Sequence, residues 1–415
     1  MKHGIHTIDD FDVAGKTVLL RVDINEPVDK EKKKLKDLTR IEGCIPTIKE
    51  LSDKQAKVVV LAHQGSDIEY QSFYDLSLHA DVIRNMTGKP VEFVPDVCGP
   101  YAVERIKAMK DGDIVLLDNV RFMAEEMTLF ETKLNLTPDQ QAQTLVVRRL
   151  APLADLYICD AFAAAHRSQP TLVGFEQVLP SAMGRLFEKE YTIISDILKS
   201  PERPCVFVLG GAKIADAFLM MDKVLKEGTA DVVLTGGLVA NIMAVAKEID
   251  IGKASEDFIY KKSLGECIET AREILELYSD KILIPEDFAY VEDDVRHEVK
   301  VGDIPQDKML VDIGTNTIAK YDQIIREAGT VFINGPMGVF EKTPSAAGTK
   351  AVWEAAAGTR GFSVVGGGDS VAAANLFGVS DRIGYICTGG GALVRFLSGE
   401  ELPVVKALKD ANKGV

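Results

Sequence analysis

The stretch VVGGGDSVAAA, Val364 to Ala374, sets a β-branched run, three glycines and an alanine-rich helix former in a row. That order spells strand, tight turn, helix. Glycine turns the chain without steric penalty and lets a ligand approach the backbone closely. A helix beginning just after it aims free N–H groups and the positive end of its dipole at that ligand. Taken alone, the turn leaves two readings open: a phosphate cradle, or a packing joint between strand and helix.

Working outward, the same strand-then-helix alternation fills the chain. Short β-rich runs recur in the first half at 17–25, 57–63, 91–96, 113–119 and 156–162, and after a break at 204–211, 231–237, 281–288, 309–314, 330–336, 362–368 and 382–391. Several are near-continuous Val/Ile/Leu runs, as expected of strands covered on both faces of a parallel sheet. So many repeats exceed one simple sheet, so the fold class is α/β, with two doubly wound (Rossmann-like) parallel-sheet domains joined by a hinge. EKEYTIISDILKSPERP (188–204) reads as a helix running into a proline-bounded loop, which places the boundary between Pro180 and Pro204.

A length of 415 residues favours two or three domains, and 46% hydrophobic with 27% charged residues is ordinary for a soluble globular chain. The formal charge of −15 argues against a nucleic-acid partner. The six cysteines have no C-x-x-C spacing, so neither a zinc site nor a disulfide framework is expected, and Cys159 and Cys387 sit in apolar runs as buried thiols. The opening MKHGIHTIDDFD has no signal-peptide core and no run approaches spanning length, so no membrane is expected and the location is cytoplasmic.

Ligands of open parallel sheets bind at the carboxyl ends of the strands. In the first half those ends carry Arg21, Asp23, Asn25, His63, Asn119, Arg121, His166 and Arg167. Such clustering predicts a compact site for a small ligand with several negative charges. In the second half the ends carry glycine: Gly210-Gly211, Gly236-Gly237, Gly335, Gly366 to Gly368 and Gly389 to Gly391. Backbone nests of this kind suit nucleotide phosphates. Lys213, at the start of a predicted helix, opposes that helix dipole, and a phosphoryl group lying between the two would account for it. There is no G-x-x-x-x-G-K-[ST], and neither GGGDSV nor GGGALV completes G-x-G-x-x-G/A. DIGTNT (312–317) superficially resembles the phosphate loop of actin-like sugar and acetate kinases, although that loop opens its domain and this one lies deep in the second half.

The order of motifs then resembles one family nearly end to end, the phosphoglycerate kinases. The segments are LLRVDINEPV, LTRI, AHQG, LLDNVRF, CDAFAAAHRS, LGGAKIAD, NGPMGVFE, VGGGDSVAA and TGGGALVRFLSG. The resemblance implies a first domain, 1–182 with the tail 402–415, binding 3-phosphoglycerate or 1,3-bisphosphoglycerate, and a second, 183–401, binding ADP or ATP with Mg²⁺. It assigns Asp23, Asn25, Arg40, His63, Arg121, His166 and Arg167 to the triose-phosphate side. Gly211, Lys213, Gly236, Gly237, Asn334, Pro336, Glu341, Gly366, Gly367, Gly368, Asp369 and Ser370 go to the nucleotide, and Asp369 also to the metal. Arg40, Lys213 and Gly390, in the 389–391 turn, would act on the group in transit.

The implied reaction passes an acyl phosphate to ADP without a general base, on closure about links near Glu190 and Thr388. The chain would be a monomer or a homodimer. Three departures stand out: Ser66 and Asp67 replace a basic residue and a proline, Ala217 replaces a second lysine, and a lysine-rich insert at 30–36 lengthens a loop. The lost cations leave a non-catalytic nucleotide-binding protein as a rival reading.

Overall fold

The computed structural model describes residues 1–29, 31, 34–65 and 73–411. Ser66 and Asp67, Lys30, Lys32 and Lys33, and the end of the tail lie outside the described residues. The chain divides into two compact units, Met1–Ile193 with Glu401–Val415, and Ile194–Glu400. The division falls within the helix Arg185–Lys199, a little beyond the expected 182/183.

The first unit holds strands β1 (Thr17–Val22), β2 (Val28–Asp29), β3 (Lys34–Leu35), β4 (Lys57–Leu61), β5 (Val91–Val94), β6 (Ile114–Leu117), β7 (Leu156–Asp160) and β8 (Ser181–Met183). Six of them form a sheet in the order β5-β6-β4-β1-β7-β8, with every pairing parallel. Leu20 of β1 lies opposite Val60 of β4 and Ile158 of β7. Every residue of β1 is buried. Alternate side chains Val18, Leu20 and Val22 enter one core with Ile41, Cys44 and Ile48 of the helix Thr39–Asp53, as the two-residue strand period requires. After β1 the chain builds outward through β4 to β5 and β6, then returns past β1 to β7, so the strand order reverses beside β1. The lysine-rich insert is flanked by the antiparallel pair β2–β3, Val28 opposite Leu35, where a plain loop was expected.

The second unit holds β9 (Cys205–Leu209), β10 (Val232–Thr235), β11 (Ile282–Leu283), β12 (Asp287–Glu292), β13 (Val295–Lys300), β14 (Leu310–Ile313), β15 (Thr330–Asn334), β16 (Phe362–Gly366) and β17 (Tyr385–Cys387). Its parallel sheet runs β11-β10-β9-β15-β16-β17 and reverses between β9 and β15, where Phe207 faces Phe332. The opening stretch folds as read: β16 enters the 366–368 turn, and a helix follows over Gly368–Leu376.

Two expectations fail here. The run 281–288 is not one strand. Pro285 lacks an N–H, so β11 ends at Leu283 and Asp287 opens an antiparallel hairpin. The run 309–314 belongs to no parallel sheet either; β14 pairs antiparallel with β12 in a separate three-stranded sheet, β13-β12-β14. The hairpin turns at Asp293 and Asp294, both at positive φ (50° and 60°), the geometry of a two-residue turn that Asp accepts.

Candidate active site

In the first unit the strand ends do converge. The loop after β1 carries Asp23 and Asn25, β4 leads to His63, and β6 to Asn119 and Arg121. Arg40 stands in the first turn of the helix Thr39–Asp53. Its guanidinium donates to Asp23 Oδ2 at 2.5 Å, and its backbone N–H donates to Glu26 Oε1 at 2.7 Å. Leu38 cannot cap that helix, so the buried Glu26 supplies the acceptor. Asn25 accepts from Gly65 N–H at 2.8 Å, and Arg121 donates to the Gly65 carbonyl. Asn119 accepts from the N–H groups of Gln64 and Arg121, each at 3.1 Å, which ties the β4 and β6 loops together.

Burial pushes the His63 imidazole well below its ordinary range, and the charges of Arg21, Arg121, Arg167 and Arg40 push it further down. The ring is therefore neutral at pH 7, and four guanidiniums share its surroundings. Arg167 also donates to Thr128 Oγ1 at 2.9 Å. His166, half-buried, precedes it in the same loop. Sequence reasoning counted Arg21 in the strand-end anion cluster but gave no role to Thr171 or Glu126; all three lie behind His63. The available signal was a lone arginine inside an otherwise apolar strand: a charge buried there needs partners.

In the second unit the glycines separate by cause. A Cβ on Gly210 would lie 2.3 Å from the Pro336 carbonyl oxygen, and one on Gly236 would lie 2.4 Å from Met337 Sδ. Those turns are glycine because backbones meet there. Gly211 and Gly237 have positive φ (75° and 54°), and their N–H groups donate to the Pro336 and Met337 carbonyls at 2.8 and 2.7 Å. At the 366–368 turn a Cβ on Gly366 would strike Leu393 at 2.2 Å, and Gly367 has a φ of +89°. Gly368 has neither reason: a Cβ there meets nothing within 4 Å. The same holds for the added atom at Gly390, which opens the helix Gly390–Leu397 at a φ of +49°.

Lys213 is exposed at the residue before the helix Ile214–Lys226, and Asp369 is exposed in the first turn of the helix Gly368–Leu376. Ser370 is buried; its hydroxyl accepts from Gly335 N–H at 2.7 Å and holds that turn in place. Asn334, at the end of β15, donates to the Gly366 carbonyl at 3.3 Å. A cavity of about 290 Å³ opens among these turns. Gly211, Gly237, Pro336, Glu341 and Asp369 line it, with an apolar wall of Phe258, Phe288 and Leu310. The antiparallel sheet thus supplies a face suited to a flat ring.

Among the described residues no group of three or more His, Cys, Asp or Glu side chains is placed to hold a metal ion. The lone carboxylate of Asp369 fits a magnesium ion that takes most of its ligands from nucleotide phosphates and water. Ala217, where a second cation was looked for, is buried at 3% exposure on the inner face of its helix. A larger cavity of about 430 Å³ lies in the first unit beyond β5 and β6, and none of the expected site residues line it.

DIGTNT is structural. Asp312 accepts from Arg296 Nη1 and from Gly348 N–H, each at 2.8 Å. Thr317 donates to Asp287 Oδ1 at 2.6 Å. All six thiols are free, Cys159 and Cys387 buried as expected, and burial pushes Cys159 up to about 12. Among the described residues no helix is long and apolar enough to cross a membrane.

The chain matches known proteins along nearly its whole length. A family model described as phosphoglycerate kinase matches residues 8–400. The phosphoglycerate kinase of Methanobacterium bryantii is 46% identical over 99% of this chain and 99% of its own. That of Methanothermus fervidus is 46% identical over 98% of each. The crystal structure of phosphoglycerate kinase from Pyrococcus horikoshii OT3 superposes with a TM-score of 0.88 at 38% identity, covering 99% of this chain and 100% of that one. The enzyme from Coxiella burnetii does so at 0.83 and 28%, covering 98% and 99%. Two parallel-sheet units, arginines gathered around His63 in one and glycine turns near Lys213 and Asp369 in the other, go with a family match over nearly the whole chain: the chain belongs to the phosphoglycerate kinase family.

Proposed function

We propose that this chain is a phosphotransferase with a carboxyl acceptor, moving the acyl phosphate of 1,3-bisphosphoglycerate reversibly onto ADP to give 3-phosphoglycerate and ATP. The reading is supported by one pairing above all. Arginines gather around His63 on the first unit, and on the second a cavity lined by Asp369 and Glu341 opens among glycine turns, with Lys213 next in the chain to its lining residue Ala212. Asp23, Asn25, Arg40, His63, Arg121, His166 and Arg167 take the phosphoglycerate, with Arg121 and Arg167 offering planar forks suited to phosphate or carboxylate oxygens.

Gly211, Gly236, Gly237, Gly366, Gly367 and Gly368 shape the nucleotide cradle, assisted by Asn334, Pro336, Glu341 and the backbone of Ser370. Asp369 would hold Mg²⁺ on the nucleotide, and the ion supplies charge neutralisation at the phosphates. Both candidate nucleophiles, a β-phosphate and a carboxylate, are ionised at neutral pH, so no proton need be removed. What remains is positioning and charge stabilisation by Arg40, Lys213 and the N–H groups at Gly390. The reaction requires the two ligands to meet, which calls for closure of the two units and exclusion of water from the acyl phosphate. The location that goes with this reading is the cytoplasm.

Calorimetric titration tests the division of labour. Arg121→Ala should weaken 3-phosphoglycerate at least about tenfold and leave MgADP unchanged, and Asp369→Ala should do the reverse. If either variant affects both ligands equally, or neither, the assignment fails.

A further inference from the structure

Arg21 sits among the anion-binding groups, yet it is 0% exposed. A guanidinium is always protonated and has donors but no acceptor. Its Nε donates to Thr171 Oγ1 at 3.0 Å, its Nη1 to the Val22 carbonyl at 2.5 Å, and its Nη2 lies 3.1 Å from His63 Nδ1. The last bond has only one possible sense. Nδ1 must accept, so the proton of a neutral ring resides on Nε2.

The far end of the chain is polarised the same way. The Thr171 hydroxyl accepts from Arg21 and donates to Glu126 Oε2 at 2.9 Å, while Glu126 Oε1 accepts from Thr171 N–H at 2.6 Å. Four guanidiniums oppose a second proton on the ring: Arg21 from β1, Arg40 from the helix after the β2–β3 pair, Arg121 after β6 and Arg167 after β7. The nearby Asp23 carboxylate is engaged by Arg40. Among the described residues His63 Nε2 has no hydrogen-bond partner.

We infer that Arg21, anchored by Thr171 and Glu126, is a positioning residue that locks His63 as the neutral Nε2–H tautomer, so that the ring meets its anionic ligand as a one-proton donor and not as a cation. The inference rests on the reading of this pocket as the 3-phosphoglycerate site. It gives the pocket a division of chemistry: arginines carry the charge matching, and the imidazole selects by a directional hydrogen bond.

Long-range ¹H–¹⁵N spectra of the full-length labelled protein, with His63 assigned by its loss in His63→Asn, test this directly. The expected result is one protonated and one bare ring nitrogen, Nε2–H, from about pH 5.5 to about pH 8.5, with the signals moved by added 3-phosphoglycerate. A doubly protonated ring or an Nδ1–H tautomer overturns it. In Arg21→Met, burial and the three remaining arginines keep the ring neutral, but nothing fixes which nitrogen carries the proton. The Nδ1–H form should then appear, and the KM for 3-phosphoglycerate should rise about tenfold while kcat stays within about threefold. Arg21→Lys, which also can only donate, should restore the tautomer and the KM. A folded Arg21→Met that keeps both the Nε2–H tautomer and the wild-type KM overturns the inference; if that variant does not fold, the wild-type spectrum still decides. If 3-phosphoglycerate leaves the His63 signals unmoved while MgADP still binds, the inference falls together with the site reading beneath it.

Discussion

A Cβ at Gly366 would sit 2.2 Å from Leu393, and one at Gly368 would sit in open space. Two neighbouring alanine substitutions should therefore behave oppositely. Gly366→Ala overpacks the interior and should lower the unfolding free energy by about 1–3 kcal/mol. Gly368→Ala should fold with stability within about 0.5 kcal/mol of wild type, yet bind MgADP at least about tenfold more weakly, because the added methyl enters the phosphate space. Thermal unfolding and calorimetry separate the two. Unchanged nucleotide affinity in Gly368→Ala would return the turn to a packing joint. At this scale His63 is also instructive: the sequence places an imidazole at a strand end, but its neutrality depends on burial and four arginines from separate segments.

The β12–β13–β14 sheet shows where single elements hide from sequence. Its strands are short, and β13 is largely exposed and polar on one face, so no continuous apolar run announces them. Asp312 looks like the start of a phosphate loop until Arg296, two strands away in the sheet, is seen to neutralise it. The parallel strands, by contrast, were legible because a strand buried on both faces must be a continuous apolar run. The strand-end arginines and the glycine turns were legible for the related reason that such sheets bind at carboxyl ends. What stayed hidden was the set of long-range partners, Thr171 and Glu126 for Arg21 and Ser370 for Gly335, since nothing local in their segments demands them. Arg296→Met tests the structural role of DIGTNT. Burial already pushes Asp312 up to about 6 with its partner present. Losing the partner should destabilise the protein by about 3 kcal/mol, more at pH 8 than at pH 5, with kcat retained. Loss of turnover without loss of stability would give the motif a catalytic part.

Across the whole molecule, a strongly acidic chain gathers arginines around His63 in one unit and glycine turns in the other. The buried acids of the first unit leave a signature in stability. Burial pushes both Glu126 and Asp160 up to about 7. Such groups stabilise the fold fully below their unfolded values near pH 4, and that contribution is lost as pH rises towards 7, by up to about 1.4 kcal/mol per unit for each group. His63 and His79, pushed down by burial, act in the opposite sense over part of that range, so the comparison must be between variants. Asp160→Asn should gain stability relative to wild type as pH rises from about 5 to about 8, read by urea denaturation. A difference that stays flat would mean that Asp160 is ionised in the fold.

The central claim is that Lys213 and the arginine pocket serve one phosphoryl transfer. The most direct measurement couples formation of 1,3-bisphosphoglycerate from ATP, Mg²⁺ and 3-phosphoglycerate to a spectrophotometric readout, with Lys213→Ala run beside wild type. The account predicts robust wild-type turnover and a fall in kcat of about 10²–10³-fold in the variant, with both ligands still bound within a few-fold of wild-type affinity. A wild-type chain that binds both ligands without turning over, or a Lys213→Ala variant that turns over normally, would contradict it.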